Sequence, residues 1–330
     1  MNYFIYRLKF SSPLHCGTGE DAKSLSDTTV SMCADTLFSA LCTVAAADGG
    51  APAVSSLYKS AKERRLIFSD LMPYSKEVLY IPKPAMLPSN TAKQSDPGMK
   101  KAYKKLTHIP LAELDNFIAS LEGRSEFTPE PQSCDFAKIS AADRVSLKGC
   151  EESEPYYVVS ASFNKGCGLY GIFAYEEDCE RDAVIRLLKL AGAGGIGGKV
   201  SSGCGKFSVY DELDICCEED TYDEQTLMIW ENFEAQKSSY ISLTTSLPKD
   251  SELDEAMDGA NTIIKRRGGF TASSEFGAAC KKDTQYFFAA GSVFRRRYDG
   301  EIYEAAQGGA HPVYRYSIPL LLGVDYEWEK

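Results

Sequence analysis

The chain opens on NYFIYRLKF at 2–10, where large apolar side chains alternate with polar ones at the period of a strand. A loop with LHCGTG at 14–19 follows. Asp35 then stands as an N-cap before Leu37, Leu41, Val44 and Ala45, whose spacing predicts a helix to about residue 47. From 66 to 160 the pattern breaks up, because prolines at 73, 82, 84, 88, 97 and 110 separate short apolar patches. That stretch reads as a hairpin, a mobile basic excursion over roughly 85–108, and a short helix near 111–121. Strand-like runs return at 156–163 and 169–175. Val184, Leu187, Leu188 and Ala191 share one face of a predicted helix over 178–191, and KFSVY at 206–210 predicts a strand.

Strand, helix, strand pair, helix and strand make the order β-α-β-β-α-β, which is ferredoxin-like. A second half begins with YISLTTSL at 240–247, continues with an acidic helix around 249–258, and adds strands at 262–266 and 285–294. The predicted fold class is α+β, with two tandem ferredoxin-like (RRM-like) domains and a basic insertion in the first. The first domain spans 1–210, with the insertion at about 66–155 and a glycine-rich loop at 192–205. An acidic connector follows at 211–237, and the second domain takes 238–330.

The loop changes the picture most. GAGGIGGKVSSGCGK at 192–206 holds seven glycines with Lys199, Lys206, Ser201 and Ser202 among them. Glycine lets backbone amides turn toward a ligand that a Cβ would block, and such a loop suits a phosphate or a nucleic-acid backbone. The G-x-G-x-x-G spelled by 192–197 is not a dinucleotide fingerprint, since here a helix precedes and a strand follows. A Walker loop is excluded because Val200 follows Lys199. The helix presents its negative end to the loop. Anion binding therefore falls to Gly195, Gly197, Gly198, Lys199, Ser201, Ser202, Gly203 and Lys206. The competing reading is a long C-cap and turn with no ligand, although seven glycines exceed what a cap requires.

Length, at 330 residues, allows two domains with real cores. With 44% hydrophobic and 25% charged residues the composition is globular. No run of about 18 apolar residues is present, so no membrane span is expected. Eleven cysteines without a C-x-x-C pair, together with three histidines, predict reduced thiols in the cytoplasm and no metal site. The net charge of −11 argues against a nonspecific nucleic-acid binder, but it is unevenly spread. Five lysines face one acid over 93–105, eight basic residues face Glu275 and Asp283 over 261–298, and 211–224 carries eight acids and no base.

Arg266 and Arg267 end a predicted strand beside two glycines, and the planar guanidinium suits phosphate; a strand-end salt bridge is the alternative. Lys101 and Lys105, with Lys100 and Lys104, decorate a thumb-like insertion or merely a solvated face. His15 is an RNA contact, a general base or a structural residue. The HPVYR segment at 311–315 is expected to anchor the last strand in the core.

Four segments together resemble one family: the first strand with LHCGTG before ADTLFSAL at 34–41, the glycine loop, KRRGGF at 265–270, and GAHPVYRY at 309–316. The glycine loop alone marks the broad RAMP superfamily. ADTLFSAL and GAHPVYRY narrow the resemblance to the fourth subunit of the Csm complex, the RAMP protein of type III-A CRISPR effectors. Cys16 and Cys204 depart from it, standing where an aromatic residue is expected. The resemblance implies tandem ferredoxin-like domains and a non-catalytic subunit without a cofactor. It also implies that the subunit grips the 5′ handle of the CRISPR RNA, pairs with the large polymerase-like signalling subunit, and adjoins a backbone RAMP subunit. A metal-independent endoribonuclease that processes precursor CRISPR RNA is the runner-up, and a pure protein adaptor is the third reading.

Overall fold

Strand β1 (Asn2–Phe10) is buried from Tyr3 to Leu8 on both faces, more than its alternation foretells. The polar exception, Arg7, reaches Glu77 at 2.9 Å and lies over the Tyr74 ring. The computed structural model describes residues 1–17, 24–89, 97–128, 136–146, 154–215, 224–271, 273 and 280–328.

The first half is built on one sheet. Helix α1 (Ala34–Lys62) leads to β2 (Leu66–Phe68), β3 (Met72–Ser75) and β4 (Val78–Pro82). Next come α2 (Pro97–Lys105), β5 (His108–Pro110), α3 (Leu114–Leu121) and the hairpin of β6 (Ala137–Ser146) and β7 (Glu154–Phe163). Then β8 (Cys167–Tyr175), α4 (Asp178–Gly194) and β9 (Phe207–Ile215) complete the half. The seven-stranded sheet runs β5-β4-β3-β8-β1-β9, with β2 also on β8. Its pairings are antiparallel, and β1 lies between β8 and β9. α1 and α4 pack on each other and against the sheet.

Several expectations need correcting. α1 runs on to Lys62 through a break at Gly50 (φ 67°), and Pro52 is tolerated because it follows that break. Its cap is not Asp35. Cys33 holds that position, and the Ala34 amide donates to Asp70 Oδ1 at 2.8 Å, so the capping carboxylate comes from another strand connection. By length and composition α1 could cross a bilayer, contrary to the expected absence of such a segment. Its Leu37, Phe38, Leu41, Ala45, Leu57 and Ala61 are nevertheless buried in the protein core. The basic excursion is partly helical: Tyr103 holds α2 on α3 through the Phe117 ring and the Ser120 hydroxyl at 3.1 Å, and donates to the Phe127 carbonyl beyond it at 2.9 Å. Residues 90–96 of that excursion lie outside the described residues. Strand β6 was not expected. The stretch read as an acidic connector begins as the end of β9 and continues, beyond the undescribed 216–223, as α5 (Glu224–Glu234). The buried Phe233 of α5 stacks on Tyr3 at 4.5 Å.

The second half holds smaller sheets. Strand β10 (Ser239–Ser242) is followed by α6 (Leu253–Met257), β11 (Ile264–Arg267), β12 (Gln285–Phe288) and β13 (Val293–Phe294). β14 (Ile302–Glu304), β15 (Tyr314–Tyr316) and β16 (Leu321–Val324) end it. The order β13-β10-β16 makes a three-stranded sheet, while β11-β12 and β14-β15 are two-stranded ribbons. The strand expected over 285–294 is therefore two strands in different sheets, separated at Gly291 (φ 94°). One core joins the halves: Tyr316, Ile318, Leu320, Leu322, Val324 and Tyr326 belong to the same cluster as Phe38 and Phe68. The fold is thus α+β with antiparallel sheets.

Candidate nucleic-acid interface

The glycine loop lies between α4 and β9, as expected for a helix–loop–strand. Its base is bolted to the segment after β1. The Gly198 amide donates to the His15 carbonyl at 2.8 Å, the Gly205 amide to Pro13 at 2.9 Å, and the Lys206 amide to Ser12 Oγ at 2.8 Å. Ile196 and Cys204 are buried and anchor the loop from beneath. Gly205 has φ 77°, and a Cβ there would lie 1.9 Å from the Ile196 carbonyl oxygen, so only glycine fits.

The loop glycines therefore serve two purposes. Gly195 caps α4, Gly197 sits against the His15 carbonyl, and Gly198 sits against its ring; these satisfy the turn reading. The crest is different. Ser201, Ser202 and Gly203 are exposed, and a Cβ built on Gly203 would meet nothing within 4 Å. Lys199, in the left-handed region at φ 60°, places Nζ 4.8 Å from the centroid of the Tyr156 ring on β7. Lys206 is exposed where the loop enters β9. An approaching phosphate would meet a cationic, glycine-backed crest without a side-chain wall.

His15 lies beneath that crest. It is 3% exposed, and its Nδ1–H donates to the Val159 carbonyl at 2.7 Å. In this structure it braces the loop against β7. Arg266 and Arg267 stand on a separate ribbon, and Lys101 and Lys105 are exposed on α2.

Arg267 is committed elsewhere. Its Nη2 donates to Asp35 Oδ1 at 2.8 Å and to Thr36 Oγ1 at 2.7 Å, and its Nε to Asp35 Oδ2 at 3.2 Å. This ion pair ties β11 to the first turn of α1. Burial opposes ionisation of Asp35, but Arg267, Arg315 and Lys282 hold its carboxyl below the usual carboxylate range. Nearby, Lys265 Nζ donates to Cys33 Sγ at 3.2 Å. Asp70 accepts from the Thr245 amide at 2.9 Å and from its hydroxyl at 2.6 Å, besides capping α1. Arg315 is buried and donates to the Asp283 carbonyl and to Gln285 Oε1, as expected of a core anchor.

A glycine crest on a helix–loop–strand, joined to a second half through ADTLFSAL and KRRGGF, can be set against known proteins. The model of the RAMP superfamily matches residues 7–208, and that of the CRISPR Csm4 C-terminal domain matches residues 235–324. The protein described as CRISPR system Cms protein Csm4 from Mycobacterium tuberculosis is 32% identical over 98% of each chain. This chain belongs to the Csm4 family of the RAMP superfamily. The Csm4 protein of Streptococcus thermophilus is 26% identical over 98% of this chain and 100% of its own. Among solved structures, a chain of a Csm3-Csm4 subcomplex in the type III-A CRISPR-Cas interference complex has a TM-score of 0.62 at 18% identity, covering 98% of this chain and 99% of its own. A chain in a Csm1-Csm4 cassette in complex with AMPPNP has a TM-score of 0.61 at 17% identity and full coverage of both. At those identities the likeness is one of fold.

Within this Csm4-family chain, sequence reasoning found the loop but missed the residues that position it. Tyr156 matters only because β7 passes the loop, and Asp35 passes for a local cap until Arg267 arrives from 232 residues away. The sole advance signal for the ion pair was an acid in one family segment and an arginine pair in another.

Proposed function

We propose that this protein is the non-catalytic RNA-holding subunit of a type III-A CRISPR ribonucleoprotein in cytoplasmic antiviral defence. It grips the 5′ handle of the CRISPR RNA, docks the large polymerase-like signalling subunit and adjoins a backbone RAMP subunit. The observation that carries the reading is the crest of exposed Ser201, Ser202, Gly203 and Lys206 with half-buried Lys199 beside them, glycine-backed on a firmly bonded base. Family membership supports the setting, as do the assemblies named for its structural relatives, a Csm1-Csm4 cassette and a Csm3-Csm4 subcomplex. The tandem ferredoxin-like architecture belongs to this reading too. In the first half it is supported by the order β9-β1-β8-β3, with α1 and α4 as the crossing helices.

Burial of His15 against Gly198 and Val159 favours holding over cutting, since a general base must reach the hydroxyl it deprotonates. Tyr170, whose phenol could serve as a proton donor, is likewise buried, with its hydroxyl on the Tyr80 carbonyl at 3.1 Å. The test is handle-RNA binding across a salt series. Replacing Lys199 and Lys206 with Ala should weaken binding and make the salt slope shallower by about 0.7 for each phosphate of single-stranded RNA that is no longer neutralised. An unchanged slope in a folded double variant would reject the crest as the RNA-binding surface.

A further inference from the structure

The ribbon of β11 and β12 has two unlike faces. Arg267 and Phe287 point inward, to Asp35 and the core. On the other face Arg266 stands directly opposite Tyr286, and Ile264 lies two pairs further along, opposite the buried Phe288. The ribbon continues past its regular pairing: the Lys282 amide donates to the Gly269 carbonyl at 2.9 Å, and Phe270 pairs with Lys281. Ile264, Phe270 and Tyr286 are 66%, 54% and 62% exposed, which is unusual for large apolar side chains close together on a single ribbon.

The charge on this ribbon is one-sided. Lys265, Arg266, Arg267, Lys281 and Lys282 share it with Asp283 as the one acid among its described residues, while Asp35 acts on Arg267 and Lys282, and Asp70 on Lys265, from the rest of the protein. Exposed aromatic rings interleaved with cations suit a polyanion that also presents flat faces. Single-stranded RNA has that combination, because every base has a π-face and every linkage a charge. A protein partner would bring carboxylates for the cations but no reason for two isolated rings. From Arg266 to Phe270 is four residues, about 13 Å along a strand, so the two rings serve separate bases.

We propose that Tyr286 and Phe270 form a base-stacking platform for single-stranded RNA, with Arg266 and Lys281 beside the phosphates. The proposal rests on the RNA-holding reading and adds to it a second binding surface, remote in sequence from the glycine crest. Its chemistry predicts tolerance of base identity, since stacking reads no hydrogen-bond pattern.

The test uses the full chain, a fluorescein-labelled oligouridine, and an abasic ribose–phosphate chain of the same length, read by anisotropy. Tyr286→Ala and Phe270→Ala should each weaken oligouridine binding by about 5- to 100-fold with the salt slope unchanged. Tyr286→Phe should bind as wild type, and the abasic chain should not distinguish any of these variants. Wild-type affinity of both alanine variants for oligouridine overturns the proposal. So does equal weakening of both probes, which would mark a folding or charge effect. Loss of co-purification with the large subunit at unchanged RNA affinity would reassign the platform to a protein. If the wild type binds neither probe, the RNA-holding reading falls and the platform with it. Failure of the aromatic variants alone, with the lysine variants still altering the slope, removes only the platform.

Discussion

Asp35→Asn should destabilise the fold more than Arg267→Met, although the two residues form one ion pair. Both side chains are about a tenth exposed, and three hydrogen bonds join Arg267 to Asp35 and Thr36. Removing one partner of a buried pair costs about 3–5 kcal/mol, mainly through the charge left behind. What is left behind differs. Without Arg267, Asp35 still faces Lys282 and Arg315, so the loss should lie near about 3 kcal/mol. Without the Asp35 charge, Arg267, Lys282 and Arg315 repel one another, and Asp283 relieves only Arg315, which points to about 5 kcal/mol. Urea unfolding at neutral pH, followed by circular dichroism with a check that m is unchanged, measures both. A pH series adds a second reading. The folded Asp35 pKa lies below the unfolded value of about 3.9, so its contribution is fully present above that value. It is lost as pH falls through the lower, folded value, and Asp35→Asn should lack that loss. Arg267→Met proving as costly as Asp35→Asn, or Asp35→Asn keeping the acid-limb loss, would refute the reasoning.

Burial pushes the His108 imidazole down to about 4, so between pH 6.5 and that value the unfolded chain binds a proton that the folded chain resists. Stability should therefore fall by up to about 3 kcal/mol as pH drops through this window, and urea midpoints of His108→Gln should show a smaller drop. Gly205→Ala should cost about 3 kcal/mol, from its backbone conformation and its clash with Ile196, whereas Gly203→Ala should cost only about 1 kcal/mol of backbone strain. Thermal melts of the two variants decide, and equal losses would contradict the division of the loop into base and crest. Co-expression with the large polymerase-like subunit should yield a stable pair without RNA; a pair that forms only with guide RNA present would contradict direct docking.

The first half was legible wherever local periodicity decides the element. β1, β8 and α4 lie close to where their apolar spacing put them, and the glycine run marked the turn between α4 and β9. Features settled at long range were not. AKISAADRVS in β6 carries no clean alternation, and β7 is its partner along the whole length. The cap of α1 comes from Asp70, which local pattern cannot distinguish from the nearer Asp35. The candidate site divides in the same way. Its crest could be read from composition, but His15 and Arg267 carry chemistry that suits RNA, and their partners lie 144 and 232 residues away. Polar residues declare their chemistry in a sequence, whereas the partners that use it up become visible only in the fold.

The shared core has a consequence for how the molecule is made. The Tyr316 hydroxyl accepts from the Phe68 amide at 2.8 Å, and the Tyr326 hydroxyl donates to the Leu87 carbonyl at 2.8 Å. Residues 316–326 thus act as a strap across a sheet whose Phe68 strand was synthesised 248 residues earlier. At roughly 5–20 residues per second, the nascent first half waits many seconds on the ribosome with Phe38 and Phe68 uncovered. Chaperone dependence during translation should accordingly end only when the strap emerges, and a prematurely terminated chain would carry its own exposed degradation signal.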